Sequence, residues 1–213
     1  MAIFRSRLSG RRLAIIDEYQ FPGSVRQRFA LQRDDLGSDD IRLVEGGTRQ
    51  WFRLAARHPK ARLAMPSVIV DDLWHEFVLH TREYAEFCEA GLGRFLHHVP
   101  ESAMTATGAA ANRSGGLQVT FQLAQQDELA RRGGAAGPAA LPLLFRVDQE
   151  LAVAGGRRYL ADCGGRGECY ESKGTVCLQH VGGPGRRPGG GRWNIPRGGV
   201  VPGSETSTGC GGG

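Results

Sequence analysis

The apolar positions of the first hundred residues recur at helical spacing. In FPGSVRQRFALQRDD, Val25 and Phe29 fall on one side, with Leu36 after them, and Pro22 stands where a helix begins. In IRLVEGGTRQWFRLAAR, Ile41, Val44, Trp51, Leu54 and Ala55 keep the same period, and Ser38 or Asp39 can cap the first turn. Gly46-Gly47 costs about 1 kcal/mol per residue against alanine, which predicts a break or kink there. His58-Pro59 ends the segment, because the residue before proline avoids the helical region.

The next block is LAMPSVIVDDLWHEFVLHTREYAEFCEAGLGRFLHHVP. Pro66 and Ser67 form a start signal, and Val70, Leu73, Trp74 and Phe77 make one apolar stripe. Tyr84, Phe87, Cys88, Gly91 and Phe95 make a second, with Thr81 as its cap and Pro100 as its stop. The pattern predicts two helices, the second running to His97-His98. GLQVTFQLAQQDELARR fits both periods, and its continuation without turn residues favours a helix. LPLLFRVDQELAV and RRYLADC are short apolar pieces that suit a buried helix and a small strand, between which periodicity does not decide.

Glycine is sparse at first and crowds the end of the chain. The predicted fold class is therefore mostly α. A single compact helical domain covers 10–160, a small irregular cysteine-bearing segment covers 161–181, and a disordered glycine-rich C-terminal tail covers 182–213. The formal charge of +5 reflects 27 basic against 22 acidic residues, interspersed along most of the chain. The short basic runs RSRLSGRR and GPGRRPGGGRW read as solvated flexible ends, so no nucleic-acid partner is expected. The run LAII is too short for a signal peptide, and nothing approaches the ~18 apolar residues of a membrane span. The expectation is a soluble cytoplasmic protein whose five cysteines stay reduced.

The run MPSVIVDDLWHEFVLHTREYAEFC, continued by GRFLHHVPE, resembles the core signature of bacterial glycine-rich domain-containing proteins. More distantly it is similar to the plant glycine-rich domain proteins of unknown function. The pattern matches at Asp71, Trp74, His75, Tyr84, Phe87, Cys88, Phe95, His97, His98 and Pro100, while His80 lies outside it. LPLLFRVD and the final TGCGGG fit the same family, although arginine, proline and WNIP replace a longer Gly/Cys repeat. The resemblance implies a mainly helical domain with a glycine-rich end and carries over no chemistry.

The candidate chemistry lies in histidines and cysteines. His75 and His80 are about 140° apart around a helix, so HEFVLH is no displaced zinc-protease motif. Asp71 and His75 are one turn apart, close enough for the carboxylate to orient the imidazole. His97 and His98, at a helix end, suit the dipole there; with His75 and Cys88 they could also converge on one ion, provided the chain reverses near His80-Thr81. Asp72 and Glu76, like-charged one turn apart, suggest a solvated face. Later, Cys163, Cys169, Cys177 and His180 offer four donors of a structural zinc site, without the usual paired close spacing. Dinucleotide loops, phosphate-binding loops, nucleophile elbows and aromatic RNA-binding signatures are missing from the sequence.

Two function classes follow. One is a non-enzymatic domain that binds another protein, with the flexible tail as a tether. The other is a metal-binding protein or metal-dependent enzyme that takes zinc or another transition metal. It would use His75, His97, His98 and Cys88 with Asp71 orienting, or the Cys163, Cys169, Cys177 and His180 set.

Overall fold

A computed structural model describes residues 2–99, 109–131, 141–163 and 174–180, with the side chains of 2–9 and 109–114 left aside. The described fold is mostly helical. Its α-helices are α1 (Ala2–Glu18), α2 (Gly23–Gln32), α3 (Ser38–Arg57), α4 (Val68–Leu79), α5 (Thr81–Phe87), α6 (Ala109–Arg131) and α7 (Leu143–Glu150). Two short strands, β1 (Arg158–Leu160) and β2 (Thr175–Cys177), pair in parallel, Tyr159 opposite Val176. The predicted tail at 182–213 and the predicted stop at Pro100 lie outside the described residues.

Helix α3 is the axis. It packs against α1, α4, α6 and α7, so its middle is buried almost all round, polar residues included. Gly46 and Gly47 are not a break; the helix runs through them. They permit close crossing instead. A Cβ on Gly47 would sit 2.9 Å from Val70 Cγ2 on α4, and one on Gly46 3.2 Å from Leu143 Cδ2 on α7. The propensity loss per glycine is repaid by packing that larger residues would block. The helix starts one residue earlier than the sequence suggests: Gly37 is the N-cap, and Asp40 Oδ2 accepts its N–H at 2.8 Å.

Buried charges on α3 are met by partners from other elements. Arg53 donates from Nε and Nη2 to Asp127 Oδ2 of α6, at 3.0 and 2.6 Å, and from Nη1 to Asp17 Oδ1 of α1 at 2.8 Å. Arg57 Nη1 takes the other Asp127 oxygen at 2.8 Å. Removing one member of such a set would leave a charge buried and unpaired, so these pairs fix which helices neighbour α3. The RSRLSGRR run, expected to be a flexible end, lies within α1.

Asp148 of α7 organises the start of α4. Its buried carboxylate accepts from Ser67 Oγ at 2.6 Å, Val68 N at 2.9 Å and Ile69 N at 3.3 Å. It also accepts from Arg157 N at 2.9 Å. Val68 N and Ile69 N are N–H groups a helix N-terminus leaves without internal partners, and a carboxylate there also complements the helix dipole. Ser67 Oγ in turn accepts from Val70 N at 3.1 Å, as the sequence predicts for this cap. The predicted stripe of Val70, Leu73, Trp74 and Phe77 is buried. Asp72 and Glu76 do not form a solvated face: Glu76 is buried and held by Arg28 Nε at 2.7 Å and Gln32 Nε2 at 2.6 Å, and Asp72 pairs with Arg33.

The second stripe ends sooner than predicted. Tyr84, Phe87, Cys88 and Gly91 are buried, but α5 passes into a π turn at Cys88–Leu92 and stops at Gly93, whose φ is +71°. Phe95 is therefore off the stripe and 48% exposed. His97 and His98 lie beyond the helix rather than at its last carbonyls.

Replacing Asp148 by alanine strips an acceptor from one hydroxyl and three backbone N–H groups at once. The expected cost is about 2–4 kcal/mol of unfolding free energy. Urea denaturation of Asp148→Ala should show it as a lower midpoint.

Candidate metal centre

Asp71 and His75 sit one turn apart on the same face of α4. His75 Nδ1 lies 3.1 Å from the Asp71 carbonyl oxygen and 3.7 Å from Asp71 Oδ2. Helical spacing alone accounts for this pair.

His98 arrives from farther along the chain. After the left-handed turn at Gly93, residues 94–99 run back over α4 as an arm without regular secondary structure. Glycine is required at this turn, since an L side chain rarely adopts such a φ. Tyr84 pins the arm. Its hydroxyl accepts from Trp74 Nε1 at 3.0 Å and donates to the Leu96 carbonyl at 2.5 Å. Two residues later, His98 Nε2 comes within 2.9 Å of Asp71 Oδ1. The His98 ring lies 4.4 Å from the Trp74 ring and 3.9 Å from that of His75.

Asp71, His75 and His98 thus present three donor atoms within 4.8 Å of one another. Metal–ligand bonds of about 2.0–2.2 Å would set neighbouring donors about 3.0–3.5 Å apart. His98 Nε2 lies 2.9 Å from Asp71 Oδ1, near that spacing, and His75 Nδ1 lies 3.7 Å from the other carboxylate oxygen. Two imidazoles and one carboxylate on one side leave the other positions of an ion open. The site faces outward through His75, whose side chain is 47% exposed, while that of His98 is 6% exposed.

The other proposed donors fall elsewhere. Cys88 is not grouped with these three: its thiol is buried, and burial pushes its pKa up, against the lowering influence of the Leu96 backbone and Tyr84. A thiol kept protonated is a poor ligand. His97 turns to Phe95, ring centroids 5.0 Å apart, and away from the group. His80 folds back on its own helix, Nδ1 3.0 Å from the Glu76 carbonyl oxygen, in keeping with its exclusion on geometry.

The late set is partly assembled. Cys163, Cys177 and His180 form a second group within the same 4.8 Å limit, both cysteines buried and without a disulfide. Pairing of β1 with β2 brings them together, since Leu160 opposes Cys177 and Leu178 N donates to the Leu160 carbonyl at 2.9 Å. Cys163 Sγ and His180 Nδ1 are 3.7 Å apart. Tetrahedral zinc, with bonds of about 2.3 Å to sulfur and 2.0–2.1 Å to nitrogen, would place them about 3.6 Å apart. Cys169 lies outside the described residues.

Sequence reasoning cast Asp71 as an orienting group for His75; in the fold its carboxylate also meets His98, as one of the three grouped donor atoms. It missed Tyr84 as the residue that positions His98. The Tyr84→Phe variant keeps all three donors but frees the arm and leaves Trp74 Nε1 without its acceptor. Affinity at this centre should fall about 10- to 100-fold, with the cysteine centre unchanged. Zinc titration monitored by competition with a chromophoric chelator measures both.

Among the described residues no helix is long and apolar enough to cross a membrane. Neither a curated protein nor a solved structure matches the chain. One family model does, over residues 11–181, a span that takes in α2 to α7, both strands and every residue of the two groups. By that match, the chain belongs to the UCP032817-like family.

Proposed function

We propose that this chain is a metal-binding protein with two centres of different kind. Asp71, His75 and His98 form an open centre for a divalent transition metal, zinc or ferrous iron by its donor set. Cys163, Cys177 and His180 form a second centre with the donor set of structural zinc. The observation that carries the reading is the convergence of His98 with Asp71 and His75, 27 and 23 residues earlier in the chain, through an arm that Tyr84 holds. Nothing in apolar packing demands that two imidazoles and a carboxylate meet. A non-enzymatic domain that binds another protein, the other class open to this chain, leaves that meeting unaccounted for.

The two centres would do different things. A two-stranded sheet is too small to be stable alone, and a metal joining Cys163 to Cys177 and His180 would hold β1 and β2 as one unit. At the open centre, positions not filled by protein are where water or a substrate oxygen can bind and be polarised. A reducing cytoplasm is the compartment that suits this chain, because it keeps Cys163 and Cys177 out of disulfides.

Elemental analysis after zinc reconstitution and desalting tests this. The wild type should hold about two equivalents, His98→Ala one, Cys177→Ser one, and the double variant none. Less than one equivalent in the wild type, or loss from neither single variant, would overturn the proposal.

A further inference from the structure

A cavity of about 470 Å³ lies beside the open centre, between α3, the 58–67 loop, the start of α4 and the returning arm. Its size falls in the range of small-molecule sites. The walls are built, not incidental. The loop is fastened to α6, where Thr120 Oγ1 accepts from Ala64 N at 2.9 Å, and to Arg157, whose Nη1 donates to the Met65 carbonyl at 2.8 Å. Trp51 and Trp74 form one end, ring centroids 5.5 Å apart and inclined at 52°.

The charge on the walls is unequal. Arg94 and Arg157 contribute two guanidinium groups, and Asp71 is the single carboxylate, already engaged by His98. Arg94 makes no ion pair among the described residues; its Nη2 donates a long 3.4 Å hydrogen bond to the Ala55 carbonyl. His58 also lines the space, with its pKa held below the ordinary value by burial and then by Arg57, so it adds no charge near neutral pH. Trp51 Nε1 itself is buried with no hydrogen-bond partner among the described residues, so this indole meets the cavity with its apolar ring.

A cationic occupant would meet two guanidinium groups at the walls, and a purely apolar one would make no use of Arg94. We infer that the cavity binds a small organic carboxylate with a flat apolar body, the carboxylate on the Arg94 guanidinium and the body against Trp51 and Trp74. Arginine offers paired N–H donors that match the two carboxylate oxygens, and the indoles supply apolar contact. The inference is separate from the metal reading, because neither Arg94 nor either tryptophan is a metal donor.

Tryptophan fluorescence during titration with phenylacetate tests it, with phenylacetamide and acetate as probes lacking the charge and the body. Phenylacetate should give a saturable change, and each control should bind about 10-fold or more weakly, the size expected for one charged hydrogen-bonded contact. Arg94→Gln should erase the preference of carboxylate over amide. Ala61→Phe, which fills the cavity and leaves Arg94 in place, should abolish binding of every probe. Equal binding of phenylacetate and phenylacetamide by the wild type, a preference that survives Arg94→Gln, or no saturable binding at all would each overturn the inference. A protein that holds no metal yet binds phenylacetate in this way keeps this inference and loses the metal proposal.

Discussion

One hydroxyl decides whether the candidate centre exists. Tyr84 joins the Trp74 indole to the Leu96 carbonyl, and by that bond the arm after Gly93 is laid against α4. Burial holds the phenol well above its ordinary pKa, so it remains a neutral donor across the physiological range. Its contact with the Trp74 indole is buried, where a lost bond leaves a polar group unsatisfied rather than returning it to water, and its contact with the Leu96 carbonyl is half-buried. His98 is two residues downstream, too near to move independently of that anchor.

The anchor works because its support is stiff. Asp148 and Ser67 define where α4 begins, and the glycines of α3 let α4 and α7 approach its backbone closely. Ring contacts among Phe52, Trp74, Phe77, Tyr84 and Phe87 fill the space between α3, α4 and α5. Close packing of this kind leaves few alternative rotamers for these rings, and so fixes the α4 backbone that carries Asp71 and His75. The same frame shapes the cavity, whose walls include Trp74 and, from the candidate centre, Asp71.

Local pattern made the helices legible, because an apolar stripe at helical spacing is a property of neighbours in sequence. The stripe from Val70 to Phe77 and the helical reading of GLQVTFQLAQQDELARR both correspond to helices in the fold. The Asp71–His75 pair was legible for the same reason. What sequence could not supply was anything set by distant partners. Gly46-Gly47 looks like a weak point until Val70 and Leu143 are seen against it. Glu76 looks solvated until Arg28 and Gln32 arrive from α2. The early end of α5 depends on the left-handed turn at Gly93, whereas the stripe through Phe95 pointed to a longer helix. That misplacement mattered, since it put His98 at a helix end, when an arm of extended chain is what brings it to Asp71.

The central claim is that His75 and His98 hold one ion together. Imidazole proton–nitrogen correlation spectra, recorded while zinc is added to the wild-type protein, address it residue by residue. The account predicts that the signals of His75 and His98 change together, at the same number of equivalents, while His80 stays as it was. Zinc that moves one of the pair without the other, or moves neither, would contradict it.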